Sequence, residues 1–434
     1  MNILFEYLIV FFQIFIITLF LSGTGFIFKK KIFNYEEKNF TESNIIWGFI
    51  GISFISLFIN FFLPLNILVN SFIFILLVII FILKDYFKQP LKNLLLELLI
   101  VTSLAFVLLV HSNVNNPDAL LYHLPFSKIL NEHKILIGSI NIHHRFGHIS
   151  IFQYISSFFY IFYIDKNGLL ISLSVLGSSF LIFFFKTFKM KFENNNFRFN
   201  SIIMFFILIV SIYSFNRYSN YGNDAPVHLY YYLIIVYFFL YDLDFKNDLF
   251  FKKISLISLF VFFLKPFYII SFLIPLVILL FNKRYKVFLK SFFFLFLFFF
   301  LILWLLKNIL ISGCLLYPIK ITCFESLLWA NLDLVEYQSI QGEVMAKSFQ
   351  DRLNKDLSMY EYNQNFEWVT TWLNNHFKVV VEKFLPIIIV LLLFSLIIFF
   401  LKLLMKKNSL TNNIAINVLL FTNFISCLIW FLKF

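Results

Sequence analysis

The chain is 434 residues long, 61% hydrophobic and only 13% charged, with a mean hydropathy of +0.88. Average soluble chains are about half apolar and about a quarter charged, so this composition excludes an ordinary soluble domain. The net charge of +12 lies in short loops between apolar runs, where membrane topology accounts for it and no nucleic-acid partner is needed.

A bilayer core needs roughly 20 apolar residues per helix. In chain order, the runs at 3–27, 44–64, 67–83 and 92–111 meet that need. The first lacks the basic start of a signal peptide and is expected to stay in the membrane. Further spans are expected at 168–185, 200–215, 225–241, 288–312, 384–401 and 412–432. Two shorter runs, 254–264 and 267–281, flank Lys265-Pro266 and predict a hairpin of short helices, because proline lacks a donor and disfavours helix in the residue before it. The total is roughly twelve spans by the length rule. The 67 phenylalanines accompany heavy use of Ile, Lys and Asn. That pattern suggests an AT-rich genome, so clusters of Phe are given no functional weight.

The run 148–164 decides the sidedness. If it lies in the interface rather than crossing, every dense basic loop falls on one side: Lys29–Lys31, Lys84/Lys88/Lys92, Lys186–Arg198, Lys246/Lys252/Lys253, Lys283–Lys290 and Lys402–Lys407. The positive-inside rule selects this arrangement, with both termini outside. Two extramembrane regions then share the outer face, the 112–166 loop and the polar stretch 313–383. The expected organisation is N-terminal spans 1–111, an outer loop with interfacial helices 112–166, core spans 167–312, an outer segment 313–383 and C-terminal spans 384–434. Cys314 and Cys323 open the outer segment, either as a disulfide or as two thiols. Cys427, in the last span, reads as structural.

The outer loop is where titratable groups collect. Residues 116–148 hold five of the eight histidines. Asn116-Pro117-Asp118 reads as a helix start: a cap, a first-turn proline and an acid at the positive helix end. Asp118 and Tyr122 share a face at i, i+4 while His123 points elsewhere. Pro125 is expected to bend or end this helix within about two turns. Further on, His143-His144-Arg145 precedes Phe146-Gly147-His148. Adjacent histidines diverge, and His144 and His148 are separated by a glycine with no accompanying acid, which makes a poor metal site. Arg145 suits a phosphate, its planar fork matching phosphate oxygens, or a lipid headgroup. A second polar cluster, Arg217 to His228, contains Asn223-Asp224-Ala225-Pro226, another helix start. Asp118 and Asp224 each have a plain reading as carboxylates that steady a helix end. With Arg145, Arg217 and Lys265 on the same face they also fit a phosphate-bearing substrate, or an ion-coupled transporter.

Asp118 early in the first large outer loop, Asn223-Asp224-Ala225-Pro226 at the start of a later span, Leu264-Lys265-Pro266 between short spans, and Ser312-Gly313 through Tyr317-Pro318 together resemble the GT-C superfamily. These are integral membrane glycosyltransferases using polyprenyl-phosphate sugars, and the protein-mannosyltransferase-like and aminoarabinose-transferase-like enzymes are nearest in style. Asp118-x-x-Leu121-Tyr122-His123-Leu124 followed by Asn141-x-His143-His144-Arg145-x-Gly147 also looks like an uncharacterised bacterial GT-C-like membrane family. The likeness covers about residues 90–320. Where those families carry an Asp-Glu pair, this chain has Asp118-Ala119, and His144-Arg145-Phe146-Gly147-His148 replaces their Lys-Pro-Pro.

The resemblance implies an all-α polytopic membrane protein, a GT-C-like bundle of about twelve spans in a bacterial inner membrane, with its site on the outer face. It implies transfer of a sugar from a polyprenyl-phosphate donor to a glycolipid, polysaccharide or protein acceptor; the residues call for no cofactor and leave a divalent metal open. Asp118 and Asp224 would be catalytic, Asp118 as general base. Tyr122, His123, His144, Arg145, Arg217 and Lys265 would bind substrate. A flippase of lipid-linked sugars is the rival, for which inverted repeats would speak. So is a polysaccharide polymerase or ligase, although Arg352 is the lone arginine of 313–383. Trp329, Trp368 and Trp372 in that segment are candidates for stacking on sugar or for anchoring at the membrane surface.

Overall fold

The computed structural model describes residues 3–33, 41–83, 91–111, 118–162, 167–193, 199–219, 221–240, 247–282, 288–364, 366–405 and 421–425. Asn116-Pro117, Asn220, Cys427, most of the expected last span, and the basic groups Lys84, Lys88, Arg198, Lys246, Lys283–Lys286 and Lys406–Lys407 lie outside them.

The described residues are helical, with one isolated antiparallel bridge between Cys314 and Cys323. Helices dominate because a bilayer offers no water to satisfy backbone groups. The helices are α1 (Ile3–Phe33), α2 (Thr41–Asn60), α3 (Ile67–Leu83), α4 (Leu91–Val110), α5 (Leu124–Glu132), α6 (Ile151–Phe158), α7 (Asn167–Glu193), α8 (Phe199–Tyr213), α9 (Asp224–Leu240) and α10 (Asp248–Leu264). They continue with α11 (Leu273–Asn282), α12 (Phe292–Ser312), α13 (Leu332–Ala346), α14 (Met359–Gln364) and α15 (Glu367–Met405). Among the described residues, six stretches are long and apolar enough to cross a membrane: Phe5–Phe33, Ser43–Asn60, Asn93–Val110, Leu170–Glu193, Phe292–Ser312 and Glu367–Ile397. Four more, Ile67–Leu83, Ser201–Tyr213, Asp224–Leu240 and Pro266–Leu280, are apolar but shorter. The chain is thus an all-helical protein suited to a lipid bilayer.

Two compact units emerge. The first comprises 1–136, 149–190 and 211–307; the second comprises 137–148, 191–210 and 308–434. In the first unit α1 and α2 pack closely through glycines. A Cβ on Gly25 would stand 1.7 Å from the Asn44 carbonyl oxygen, and one on Gly48 would stand 2.1 Å from that of Leu21. Small residues are what allow membrane helices to approach like this. The other side of α2 meets α9, where the Tyr230 hydroxyl donates to the Ile46 carbonyl (2.8 Å) and the Trp47 indole to the Tyr237 hydroxyl (3.3 Å).

The run 148–164 is not one span-length helix. It holds α6, eight residues long and buried throughout, followed by the 3-10 turn Phe159–Phe162. Eight residues reach about 12 Å, far short of a bilayer. Ser150 starts α6 with a capping box: its hydroxyl accepts from the Phe152 amide, and Gln153 Oε1 accepts from the Ser150 amide at 3.0 Å. At Lys265-Pro266 the chain turns. Lys265 is extended (φ −154, ψ 111) before the 3-10 helix Pro266–Phe272 and α11, and the Ser271 hydroxyl reaches back to the Ser258 carbonyl in α10.

The second unit joins the outer-loop strip 137–148 to the polar stretch. Gly138 (φ 68) donates to the Leu310 carbonyl, and Asn141 donates to that of Trp329. The cysteine pair forms a disulfide between Cys314 and Cys323. A small core of Val344, Phe349, Tyr362 and Trp368 follows. Trp368 is only 2% exposed, with the Lys347 ammonium over its ring, so it is a core residue and not a free surface for sugar. Trp329 is tied by its indole N–H to the Ile309 carbonyl. The expected boundary at 383 does not interrupt the helix: α15 begins at Glu367 and continues across it, past Pro386, to Met405. A helix needs an apolar surface only where lipid surrounds it, so one helix can carry both the polar stretch before 384 and the apolar run after it.

Candidate functional site

Ion pairing in the first unit gathers one group of the expected residues. Asp224 opens α9, and its Oδ1 lies 2.7 Å from the Lys265 ammonium, which the bend after α10 carries to it. Arg217, exposed on the 3-10 turn Phe215–Tyr218, and His228, one turn along α9, both act electrostatically on the Asp224 carboxylate. Three tyrosines border this cluster. Tyr232 feels the Arg217 charge and Tyr268 feels that of Asp224, while Tyr231 and Tyr268 meet edge to face at 6.0 Å. Sequence reasoning placed His228 in the polar cluster without a role and missed Tyr231, Tyr232 and Tyr268. The i, i+4 spacing of Asp224 and His228 was the available signal; Tyr268 became visible only once the chain turned at Pro266.

Asp118 stands immediately before a π-helical turn, Ala119–His123, which runs into α5. Pro125 therefore does not end the helix, which continues to Glu132. The proline occupies the first turn of α5, where the change from π to α hydrogen bonding leaves room for a residue without an N–H. Single π turns recur at functional positions. Asp118 is half-buried, and His123 is 3% exposed. The Gln153 amide nitrogen lies 2.9 Å from His123 Nδ1. Since Gln153 Oε1 is already engaged by the Ser150 amide, that nitrogen donates, and His123 carries its proton on Nε2. The Tyr122 ring lies 4.1 Å from the imidazole and that of Tyr221 lies 5.2 Å away. The Tyr221 hydroxyl continues the network through Ser156 (3.1 Å) to Ser172 (3.2 Å). Tyr221, Gln153 and Ser156 were also missed, being uncharged residues within apolar surroundings.

His144 and Arg145 belong to the second unit, in the strip that packs with the polar stretch. His143 and His144 stack with centroids 4.6 Å apart, and the Arg145 amide donates to His143 Nδ1 at 3.2 Å. The Tyr317 hydroxyl donates to the His144 carbonyl at 2.9 Å. A Cβ on Gly147 would stand 2.4 Å from the Tyr317 ring, so only glycine fits there. Gln338 binds His148 Nε2 at 3.2 Å. Burial first, and then the Arg145 charge, lower the His143 pKa; burial, His143 and Arg145 lower that of His144. Both imidazoles are thus neutral at pH 7 beside one permanent cation. Among the described residues, no group of three or more His, Cys, Asp or Glu side chains converges to hold a metal ion.

Comparison with curated proteins finds no match, and no solved structure matches the chain. The sequence pattern of one family does match, over residues 7–434. That range is almost the whole chain, and the protein belongs to this family, described as domain of unknown function DUF8201.

Proposed function

We propose that the protein is a membrane glycosyltransferase of GT-C type, moving a sugar from a polyprenyl-phosphate donor to an acceptor of the bacterial cell envelope. One observation carries this reading. Asp224, Lys265, Arg217 and His228 come from three separate chain segments to the ends of apolar helices in the first unit. A carboxylate among cations at such a place suits a substrate that is part phosphate, part hydroxyl-bearing sugar and part lipid.

In this mechanism an acceptor oxygen attacks the anomeric carbon, and the bond from that carbon to the phosphate oxygen breaks. Direct displacement inverts the sugar. Asp118 takes the acceptor proton as general base, and polyprenyl phosphate leaves. Lys265 and Arg217 oppose the charge that grows on the leaving group. Asp224 holds Lys265 in position through their 2.7 Å contact, and His123, with its proton fixed on Nε2, offers a directed donor. The site is on the outer face of a bundle of about twelve spans with both termini outside, in accord with the basic loops.

The test compares envelope glycans by mass spectrometry in a deleted strain, the same strain restored with wild type, and one restored with Asp118→Asn at matched protein level. A sugar that returns only with wild type supports transfer and identifies the residue added. Return with both versions removes Asp118 as base and shifts weight to transport of lipid-linked sugars.

A further inference from the structure

Lys307 has no role in any of these three clusters. It lies within α12, a little over one turn before Ser312, in a stretch long and apolar enough to cross the membrane. Lys307 and Trp304 are both 0% exposed. The Lys307 ammonium sits over the Trp304 ring, 3.3 Å from its centroid. That indole also stacks against Phe263 with centroids 4.8 Å apart. The contact with the ring is favourable for a cation, yet it satisfies none of the ammonium's hydrogen-bonding capacity. Neither Lys307 Nζ nor Trp304 Nε1 has a hydrogen-bond partner in the protein.

Buried polar groups are costly unless bonded, and buried charges far more so. Ionisable groups inside membrane helices accordingly mark binding sites or pathways. Here the chemistry of the missing partner is legible. An ammonium only donates, and so does an indole N–H. At i, i+3 the two residues share one face of α12. Two neighbouring donors without an acceptor are complemented by an anion that offers at least two oxygens. A free ion in water would shed its hydration to enter among Trp304, Phe263 and the apolar residues of α12. An oxyanion attached to an apolar chain can follow that chain to this depth.

We propose that Lys307 and Trp304 bind the oxyanion head of a lipid-soluble ligand, a phosphate monoester on an apolar chain being the class that fits. This site stands apart from sugar transfer: a glycosyltransferase, a flippase or a receptor of such a lipid would each use it.

The full chain in an uncharged detergent is titrated calorimetrically with dodecyl phosphate, and with dodecanol and inorganic phosphate as controls. Wild type is expected to prefer dodecyl phosphate to either control by about tenfold or more, the effect of a charge-assisted hydrogen bond. Lys307→Met should weaken dodecyl phosphate by roughly ten- to a hundredfold while leaving the thermal midpoint unchanged or higher, since it removes a buried charge. Lys307→Arg should retain binding, and Trp304→Phe, which keeps the ring and loses the N–H, should weaken it severalfold. If Lys307→Met does not fold, Lys307→Gln carries the same expectation. Wild-type affinity in a folded Met or Gln variant would overturn the site. Equal affinity of wild type for dodecanol would do the same, and equal affinity for inorganic phosphate would overturn the lipid-borne ligand.

Discussion

Replacing Gly25 by alanine is the sharpest test of the first unit's packing. The added methyl would sit 1.7 Å from the Asn44 carbonyl oxygen and 2.6 Å from the Gly48 amide nitrogen, whereas real Cβ atoms keep at least 3.0 Å. Both obstacles are backbone, so no side chain can rotate away. Relief requires α1 and α2 to part by about 1 Å or more, and gaps of that order forfeit a quarter to a half of each contact's attraction. The loss spreads through α2, in which Ile45, Trp47, Phe49 and Ile52 are all 0% exposed. Membrane helices associate through such packing rather than through the hydrophobic effect, so nothing offsets it. Overpacking costs about 1–3 kcal/mol and sometimes more; with backbone on both sides, about 3 kcal/mol is expected. Gly342→Ala is the control. Gly342 lies inside α13 with nothing within 4 Å of an added Cβ, so alanine should stabilise by about 0.5–1 kcal/mol. Thermal unfolding in detergent, followed by tryptophan fluorescence with Trp47 buried in α2 beside Phe33 of α1, reads both. An unchanged midpoint for Gly25→Ala, or equal losses in the two variants, would refute the close approach of α1 and α2.

The Asp224–Lys265 pair is 65% and 40% exposed, so Asp224→Asn and Lys265→Met should each cost less than about 1 kcal/mol of stability while abolishing glycan addition; full activity of Lys265→Met would remove that residue from the site. His143 and His144 have folded pKa values below the ordinary 6.5. The unfolded chain therefore takes up protons that the folded unit resists, and stability is expected to fall as pH drops below 6.5. Differential scanning between pH 8 and pH 5 should show this loss, and the double variant His143→Gln, His144→Gln should flatten it. Reduction of Cys314–Cys323, whose partners are 9 residues apart, should cost about 2–3 kcal/mol on loop-entropy grounds. Maleimide should label these two cysteines only after reduction; labelling of the untreated protein at Cys314 or Cys323 would contradict the pairing.

The sequence alone determined that the chain is helical and belongs in lipid, because that conclusion depends only on how many consecutive residues are apolar. Ile67–Leu83 is a helix over the very run that composition marked, and the turn at Lys265-Pro266 follows from the chemistry of one proline. Asp224 and Lys265 were each legible as candidates for the same reason, as ionisable groups beside apolar runs. Their 2.7 Å pairing across 41 residues was not, since no local pattern encodes where two distant segments meet. Polarity placed a span at 384–401, and the structure carries it on a longer helix, α15, which begins at Glu367, because a hydrogen-bonded backbone continues regardless of which side chains face water. The outer loop read as a single piece; packing divides it, giving 137–148 to the second unit and the rest to the first. Lys307 was invisible as a site. A lone lysine near the end of an apolar run ordinarily reaches its head to water, and only the tertiary packing of Trp304 and Phe263 shows that this one does not.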